Sequence, residues 1–180
     1  MYIDFEERVR RIDPTLEYVE PLLPFNRGFV FRVKRDGEDY VLKGCDEVGE
    51  HAQAINREKA ALKRARGIKE IPRLIEDYEW VGGDYAFLKE YVPGEVLHKI
   101  DRRLILNRGL KNGLTSVVRK AHLRGIANLD IEPRNILISP DFSEARLFDF
   151  DNAITNRGYN VHSFGIAMTK DFVQLSKLDL

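Results

Sequence analysis

The order of strand and helix patterns is the feature that most restricts what this 180-residue chain can fold into. Short segments typical of β-strands fill the part before Pro93-Gly94, with one helical pattern inserted among them. Helical periodicity dominates after that dipeptide. Strands and helices that are segregated along a chain are typical of α+β proteins. The sequence therefore predicts an α+β fold with two lobes, over residues 1–92 and 93–180.

Five segments of the first lobe are predicted to form an antiparallel sheet. Within the second segment Phe29, Phe31 and Val33 alternate onto one face, as in a half-buried strand. The turn that follows contains Gly37, which tolerates the positive φ that a tight chain reversal needs. The strands are predicted over residues 16–23, 29–34, 40–44, 74–81 and 85–91.

Apolar residues at a period of three to four predict the helices. The clearest pattern has apolar residues at i, i+4, i+7, i+8 and i+11 from Leu110, and its helix is predicted to end near Gly125. A short helix is predicted to stop at Asp13-Pro14. The other helices are predicted over residues 4–12, about 47–66 and about 159–178.

The composition of the chain restricts its expected partners and its expected location in the cell. A hydrophobic content of 43% is enough for a core, and a formal net charge of zero gives no global basic field, so no nucleic-acid partner is expected. The single cysteine, Cys45, excludes an intramolecular disulfide and favours a reducing compartment. Neither a signal peptide nor a long apolar run is evident. These features predict a cytoplasmic chain without a membrane span.

Two short strands are predicted in the second lobe, over residues 135–139 and 146–150, and three polar residues lie in or beside them. Asp130 is followed five residues later by Asn135, and Asp149 comes fourteen residues after that. Phosphoryl transfer uses such a set, because one carboxylate accepts the proton of an attacking hydroxyl while an amide oxygen and another carboxylate hold Mg²⁺ on nucleotide phosphates. The first two lie in the run Asn-Leu-Asp-Ile-Glu-Pro-Arg-Asn, and the third begins Asp-Phe-Asp.

This pattern resembles the catalytic loop and metal loop of the protein-kinase-like superfamily, H-x-D-x-x-x-x-N followed by D-F-G. Asn128 stands where His is usual, and Asp151 stands where Gly is usual. The resemblance covers roughly residues 16–170. It implies a bilobal kinase-like fold, with a five-stranded antiparallel sheet plus one helix in the N-lobe and a truncated helical C-lobe. ATP and Mg²⁺ are the implied cofactors, and a hydroxyl group is the implied phosphoryl acceptor.

The resemblance also implies a role for each matching residue of the catalytic and metal loops. Asp130 is the expected catalytic base or hydroxyl-orienting residue, and Asn135 and Asp149 are the expected metal ligands. His122, near the end of the preceding helix, is interpreted as a packing residue. Asp151 either binds a second metal ion or caps the following helix, and the cap is the preferred interpretation.

In the first lobe, Lys43 matches the family's V-A-I-K strand lysine, which binds nucleotide phosphates. A carboxylate on the following helix should hold that lysine in place. Glu58, fifteen residues after Lys43, is the expected partner, with Glu47 and Glu50 as alternatives.

The remaining nucleotide contacts rest on position alone. The loop over residues 24–30 should cover the phosphates, but only Gly28 is present where the family has three glycines. Glu90 and Val92 resemble the hinge, whose main-chain groups would bind adenine. Lys89 falls where the family usually has an apolar residue, so it must either extend to solvent or pair with an acid.

Two departures argue against an ordinary protein kinase. Glu132 occupies the place of a lysine that neutralises the γ-phosphate, so Arg134 or a substrate group would have to supply positive charge. Eight residues separate Asp151 from Asn160, which leaves no room for a long activation segment. This plan resembles the small atypical kinases of the RIO, lipopolysaccharide-kinase and compact prokaryotic types.

The sequence therefore favours a phosphotransferase that acts as an atypical Ser/Thr protein kinase. Two alternatives stay open. One is a kinase for a small molecule or a lipid-linked sugar. The other is a non-catalytic nucleotide-binding or scaffold module, because the glycine loop is poor and Lys89 and Glu132 are unusual.

Overall fold

A computed structural model of the protein describes residues 4–22, 28–46, 49–105, 109–157 and 160–180. The helices are α1 (Phe5–Ile12), α2 (Glu50–Arg64), α3 (Leu110–Leu123) and α4 (Val161–Ser176). The longer strands are β1 (Glu17–Pro21), β2 (Phe29–Arg35), β3 (Glu38–Cys45), β4 (Leu74–Val81) and β5 (Asp84–Glu90). The short strands are β6 (Glu95–Val96), β7 (Ile126–Ala127), β8 (Ile136–Ile138), β9 (Ala145–Leu147) and β10 (Ile154–Thr155).

The chain divides into two compact units. The first comprises Met1–Lys59 and Leu74–Tyr91, and the second comprises Ala60–Arg73 and Val92–Leu180. The end of α2 and the loop after it thus belong to the second unit.

The first unit is built on the predicted five-stranded antiparallel sheet, in the order β1-β2-β3-β5-β4. The β2–β3 turn places Asp36 and Gly37 at φ 53° and φ 82°, in the left-handed region that such turns require. Between β4 and β5, Gly82 and Gly83 also have positive φ. The sheet and the α+β class predicted from the sequence are both confirmed.

One face of this sheet packs on α1. Alternation along β2 directs its aromatic and β-branched side chains to that face, where they bury together with residues of α1, β3 and β5. The core residues are Val9, Ile12, Leu16, Phe29, Phe31, Val33, Leu42, Ala86 and Leu88. Because neighbouring residues of a strand point to opposite faces, Lys43 and Lys89 lie on the other face, with α2.

A polar network fixes the end of α1 to the sheet. Asp13 accepts hydrogen bonds from Thr15 and from the hydroxyl of Tyr78, and it pairs with Arg35. Burial raises the pKa of Asp13, but the hydrogen bonds from Thr15 and Tyr78 and the charge of Arg35 outweigh burial and lower that pKa to about 2. Asp13 is therefore ionised and stabilising at neutral pH.

The second unit centres on α3. Its buried stripe is the one predicted from the period, and it packs with apolar residues of the small strands. These strands form two antiparallel sheets, in the orders β6-β8-β9 and β10-β7. The fully buried members include Leu114, Val117, Val118, Ala121, Ile126, Ala127 and Ile136.

Several boundaries differ from the predictions. The strand expected over residues 146–150 is β9, which ends at Leu147, although the N–H of Phe148 still donates to the carbonyl of Asn135, one position beyond the last pair of the ladder. The two-residue strands β6, β7 and β10 were not predicted, since they are too short to show a period. Leu23, Glu47 and Tyr159, which lie at predicted element ends, are outside the described residues.

Across the described residues, no helix combines the length and the apolar character that crossing a bilayer requires.

Candidate functional site

In the first unit, β3 and α2 bring Lys43 and Glu58 together. Lys43 points from the sheet toward α2, and its Nζ lies 2.6 Å from Oε2 of Glu58. Glu58 is fully buried, and Lys43 is 8% exposed. A buried carboxylate is stable as an ion only when it is paired and hydrogen-bonded. The structure thus places the predicted lysine and glutamate in direct contact.

A second lysine shares this carboxylate. Lys89 of β5 lies diagonally across the ladder from Lys43, since β3 pairs Lys43 with Phe87 and Val41 with Lys89. Its Nζ is 2.5 Å from the other oxygen of Glu58, Oε1. Lys89 is 4% exposed, so it pairs with an acid rather than extending to solvent. Each carboxylate oxygen of Glu58 therefore accepts a hydrogen bond from one ammonium group.

Of the two alternative carboxylates, only Glu50 belongs to the described residues. Glu50 is exposed at the first residue of α2, and Glu47 lies outside the described residues. Helical spacing explains the difference, because Glu58 falls on the face of α2 that also buries Ile55 and Leu62.

Gly28 has a structural explanation that applies without any nucleotide. Its φ is 111°, and a Cβ at this position would lie 2.3 Å from the carbonyl oxygen of Gly44. Only glycine fits where β2 begins so close to β3. The rest of the predicted phosphate-covering loop, residues 24–27, lies outside the described residues.

The two predicted hinge residues occupy different units. Glu90 is the last residue of β5 and is paired with Tyr40 of β3. Val92 is buried in the second unit, in the segment that leads to β6. The structure gives their positions only.

In the second unit, a 3₁₀ turn over Pro133–Asn135 brings Asn135 back to Asp130. Nδ2 of Asn135 donates to the main-chain oxygen of Asp130 at 2.9 Å and to its Oδ2 at 3.0 Å. Asn152, the residue directly after Asp151, donates to the same Oδ2 at 3.2 Å. Among the described residues no group donates a hydrogen bond to Oδ1, so that oxygen of Asp130 can accept one from another molecule.

The amide oxygen of Asn135 and two carboxylates suit a hard cation. Nδ2 of Asn135 is engaged by Asp130, which leaves Oδ1 as its potential ligand atom. The N–H of Phe148 donates to the carbonyl of Asn135, so Asp149 follows directly from a residue bonded to Asn135. Carboxylate oxygens of Asp149 and Asp151 lie within 4.8 Å of each other. Amide and carboxylate oxygens are the ligands that Mg²⁺ prefers.

The preferred interpretation of Asp151 is wrong. The next helix, α4, begins at Val161 and is capped by Asn160, whose side chain accepts from the N–H of Ser163 at 2.8 Å. Asp151 lies ten residues before that helix and cannot cap it.

Around Asp130 the charged neighbours have mixed sign. Arg134 pairs with Glu132 at 2.9 Å and lies 3.7 Å from Oδ2 of Asp130. The carboxylate of Glu132 is thus matched by a guanidinium group on the same 3₁₀ turn. Both side chains are solvent-exposed, so the pair contributes little to stability.

Sequence reasoning missed the residue that holds this loop. Asp171 of α4 is fully buried and accepts the N–H groups of Asn128 and Leu129 at 3.0 and 2.8 Å. It also bonds Nε2 of His122 at 2.8 Å, which places His122 in a packing and positioning role. The only sequence signal is an isolated acid on the buried face of a helix, and such a residue needs a partner.

Comparison with known proteins gives partial matches to protein kinases. The chain is similar to the MAP kinase-interacting serine/threonine-protein kinase 1 of Xenopus laevis, with 28% identity over 124 residues that cover 65% of this chain and 30% of the relative. The same figures hold for the Xenopus tropicalis protein of that name. The chain therefore spans about 30% of the length of these curated relatives. No family model matches the chain. The similarity supports a protein-kinase-like relationship.

Proposed function

We propose that the chain is an ATP-dependent phosphotransferase that moves the γ-phosphoryl group to a hydroxyl acceptor. The observation that carries this proposal is the arrangement of Asp130: amide groups hold its Oδ2, and no group among the described residues donates to its Oδ1. A carboxylate oriented in this way suits the residue that receives a hydroxyl proton. The partial similarity to protein kinases points to the same class of reaction.

The proposed step needs little covalent chemistry from the protein. The acceptor hydroxyl oxygen bonds to the γ-phosphorus, and the bond from that phosphorus to the bridging oxygen of ADP breaks. The hydroxyl proton passes to Oδ1 of Asp130, and ADP leaves with the bonding electrons. Catalysis of this kind depends on positioning and on charge stabilisation.

Asn135 and Asp149 are the proposed metal ligands, with Asp151 as a further carboxylate. When bound, Mg²⁺ would neutralise charge on the nucleotide phosphates. Asn135 has a second task that needs no metal, since its Nδ2 orients Asp130. Replacing Asn135 should therefore affect metal binding and the orientation of the base together.

In the first unit, Lys43 and Glu58 are proposed to position the nucleotide phosphates. Lys43 can carry an ammonium group to an anion, and Glu58 limits its motion through the 2.6 Å contact. Gly28, Glu90 and Val92 are assigned to the nucleotide by position. For Gly28 this role would come in addition to the structural need already described.

The proposed acceptor is a protein serine or threonine, and the proposed class is an atypical Ser/Thr kinase. Support comes from the printed name of the relatives, which are serine/threonine-protein kinases. Arg134 is the proposed source of positive charge near the transferring group, because it lies 3.7 Å from Asp130. The proposal includes lobes over residues 1–92 and 93–180 and a cytoplasmic location.

One observation favours a second candidate, a non-catalytic nucleotide-binding module. Lys89 occupies one oxygen of Glu58, so the carboxylate that should serve Lys43 is shared. A kinase for a small molecule or a lipid-linked sugar uses the same site residues. A screen of protein, sugar and lipid-linked acceptors separates these activities from each other.

The first test is calorimetric titration of the purified chain with ATP, with and without Mg²⁺. We expect metal-dependent binding that is lost in Asp149→Ala. Asp101→Ala is the matched control, because Asp101 is an exposed acid of the same unit that bonds Arg103. If the wild-type chain did not bind ATP, the proposed phosphotransferase activity would be refuted.

The second test concerns Asp130. In the presence of an acceptor, Asp130→Asn should lower kcat by about 10²–10⁴-fold, the usual contribution of general acid–base catalysis. The affinity for Mg·ATP should stay nearly the same, because Asn keeps the shape of the side chain. A mutant with wild-type turnover would show that Asp130 is not the base.

A further inference from the structure

Asn152 contacts the proposed catalytic base directly, although it lies outside the motifs that the sequence shows. Its Nδ2 is 3.2 Å from Oδ2 of Asp130. An ionised carboxylate is only an acceptor, so Asn152 must direct its amide nitrogen to it. Together with Nδ2 of Asn135, this amide occupies Oδ2 and leaves Oδ1 for an acceptor hydroxyl.

The main chain of Asn152 is tied to the same loop. Nδ2 of Asn128 donates to the carbonyl oxygen of Asn152 at 2.5 Å, while Oδ1 of Asn128 accepts from Nζ of Lys170 at 2.8 Å. Lys170 and its neighbour Asp171 belong to α4. Asn152 is therefore connected through Asn128 to the helix that also holds the catalytic loop.

The backbone on either side of this connection adopts an unusual conformation. Asn128 and Asp130 have φ of 56° and 51°, in the left-handed region that non-glycine residues seldom adopt. Such a conformation persists where surrounding contacts determine it, and it is typical of functional sites. The amide of Asn152 is one of those contacts, and it acts on the side chain of Asp130 itself.

We propose that Asn152 is a positioning residue that fixes the carboxylate of Asp130 with Oδ1 toward the acceptor hydroxyl. This inference rests on the proposed phosphotransferase function. Asn152 touches neither nucleotide nor acceptor in this scheme. It acts by stopping rotation of the carboxylate. Two amide donors on Oδ2 fix the plane of the carboxylate and therefore the direction in which Oδ1 points.

The functional test compares Asn152→Ala with Asn152→Asp. Alanine removes the donor, and we expect kcat to fall about tenfold, the equivalent of one weak hydrogen bond in the transition state. Aspartate keeps the shape but sets a second carboxylate against Asp130, so kcat should fall further. The KM for Mg·ATP should change less than about twofold, since ground-state binding is not involved.

The order of these two variants separates positioning from simple packing. If the side chain of Asn152 only filled space, the isosteric aspartate would be the milder change. The matched controls are Asn112→Ala and Asn112→Asp, because Asn112 is an exposed asparagine near the start of α3, eighteen residues before Asp130. Both control variants should keep wild-type kcat. Full kcat in Asn152→Ala, or a milder effect of aspartate, would overturn the positioning role.

A measurement without turnover keeps the two proposals distinguishable. The side-chain amide resonance of Asn152, assigned by its loss in Asn152→Asp, should move upfield in Asp130→Ala while that of Asn112 stays in place. An unmoved resonance would overturn the inference even in an active enzyme. If the wild-type chain transferred no phosphoryl group to any acceptor, the proposed phosphotransferase activity would be overturned. The positioning role of Asn152 in that reaction would then be overturned as well.

Discussion

The carboxylate shared by two lysines allows a quantitative prediction about the stability of the first unit. Glu58 is fully buried, and Lys43 and Lys89 each bond one of its oxygens. Glu58→Gln keeps the shape but removes the charge that offsets the burial of both ammonium groups. Breaking a buried ion pair by removing one partner costs about 3–5 kcal/mol. We therefore expect the free energy of unfolding to fall by at least about 3 kcal/mol.

Lys89→Met should behave differently, although it breaks the same contact. The hydrogen bond that it removes is charge-assisted and contributes about 1.5–3 kcal/mol. Removing a nearly buried ammonium group also removes a desolvation cost of several kcal/mol, and methionine keeps most of the apolar stem. Glu58 still has Lys43 as a partner. These opposing terms nearly cancel, so the change should stay within about 1 kcal/mol.

Urea unfolding followed by the fluorescence of Trp80 measures both variants. Trp80 is the single tryptophan of the chain and lies on β4, in the same unit as the three residues. Lys34→Met, on the half-exposed side of β2, is the matched control, and it should change the free energy of unfolding by less than about 0.5 kcal/mol. If Lys89→Met were as destabilising as Glu58→Gln, the balance of desolvation and pairing argued here would be wrong.

Three further predictions concern residues that support the two units. Asp13→Asn should lower the free energy of unfolding at pH 7 by about 2 kcal/mol, because the folded-state pKa of about 2 lies below the unfolded value. That difference should persist above about pH 4 and vanish as the pH falls toward 2, and equal pH profiles in urea titrations would contradict it. Asp171→Asn should speed amide exchange at Leu129 about tenfold or more, measured by NMR, because the buried acceptor is weakened. Gly28→Ala should lower the thermal midpoint without nucleotide, since its Cβ would meet Gly44; an unchanged midpoint would refute the steric argument.

The long elements that show a period of their own could be predicted from the sequence. Alternation in β2 and the three-to-four spacing in α3 are local, so neither requires knowledge of the neighbours. Two-residue strands such as β7 have no period, and only their tertiary pairing with β10 defines them. Exact ends were also beyond the sequence, because hydrogen bonds to distant residues decide them. The end of β9 shows this, since the ladder stops where its partner strand gives way to the 3₁₀ turn over Pro133–Asn135.

The candidate site also contains residues that a local pattern identifies and residues that only tertiary contacts identify. Lys43 and Glu58 could be named from the resemblance, and Lys89 was expected to need an acid. That the acid would be Glu58 itself depends on the register of β3 with β5, which sets two lysines diagonally on one face. Asp171 and Asn152 could not be named, because each acts across more than twenty residues and neither belongs to a recognisable spacing.

The spacing around Asp130 was more informative than its letters for a physical reason. Asp130 has positive φ, and its carbonyl accepts from the N–H of Glu132; the carbonyl of Glu132 then accepts from the N–H of Asn135. These two turns return the chain after five residues, so an amide at that distance meets the carboxylate whatever lies between. The side chain at position 128 must only bridge from this loop to Asn152, and asparagine can do so with one donor and one acceptor. Geometry of this kind restricts the distance between the two side chains strictly and the identity of the residues around them loosely, which explains why a motif with altered letters still brings Asn135 to Asp130.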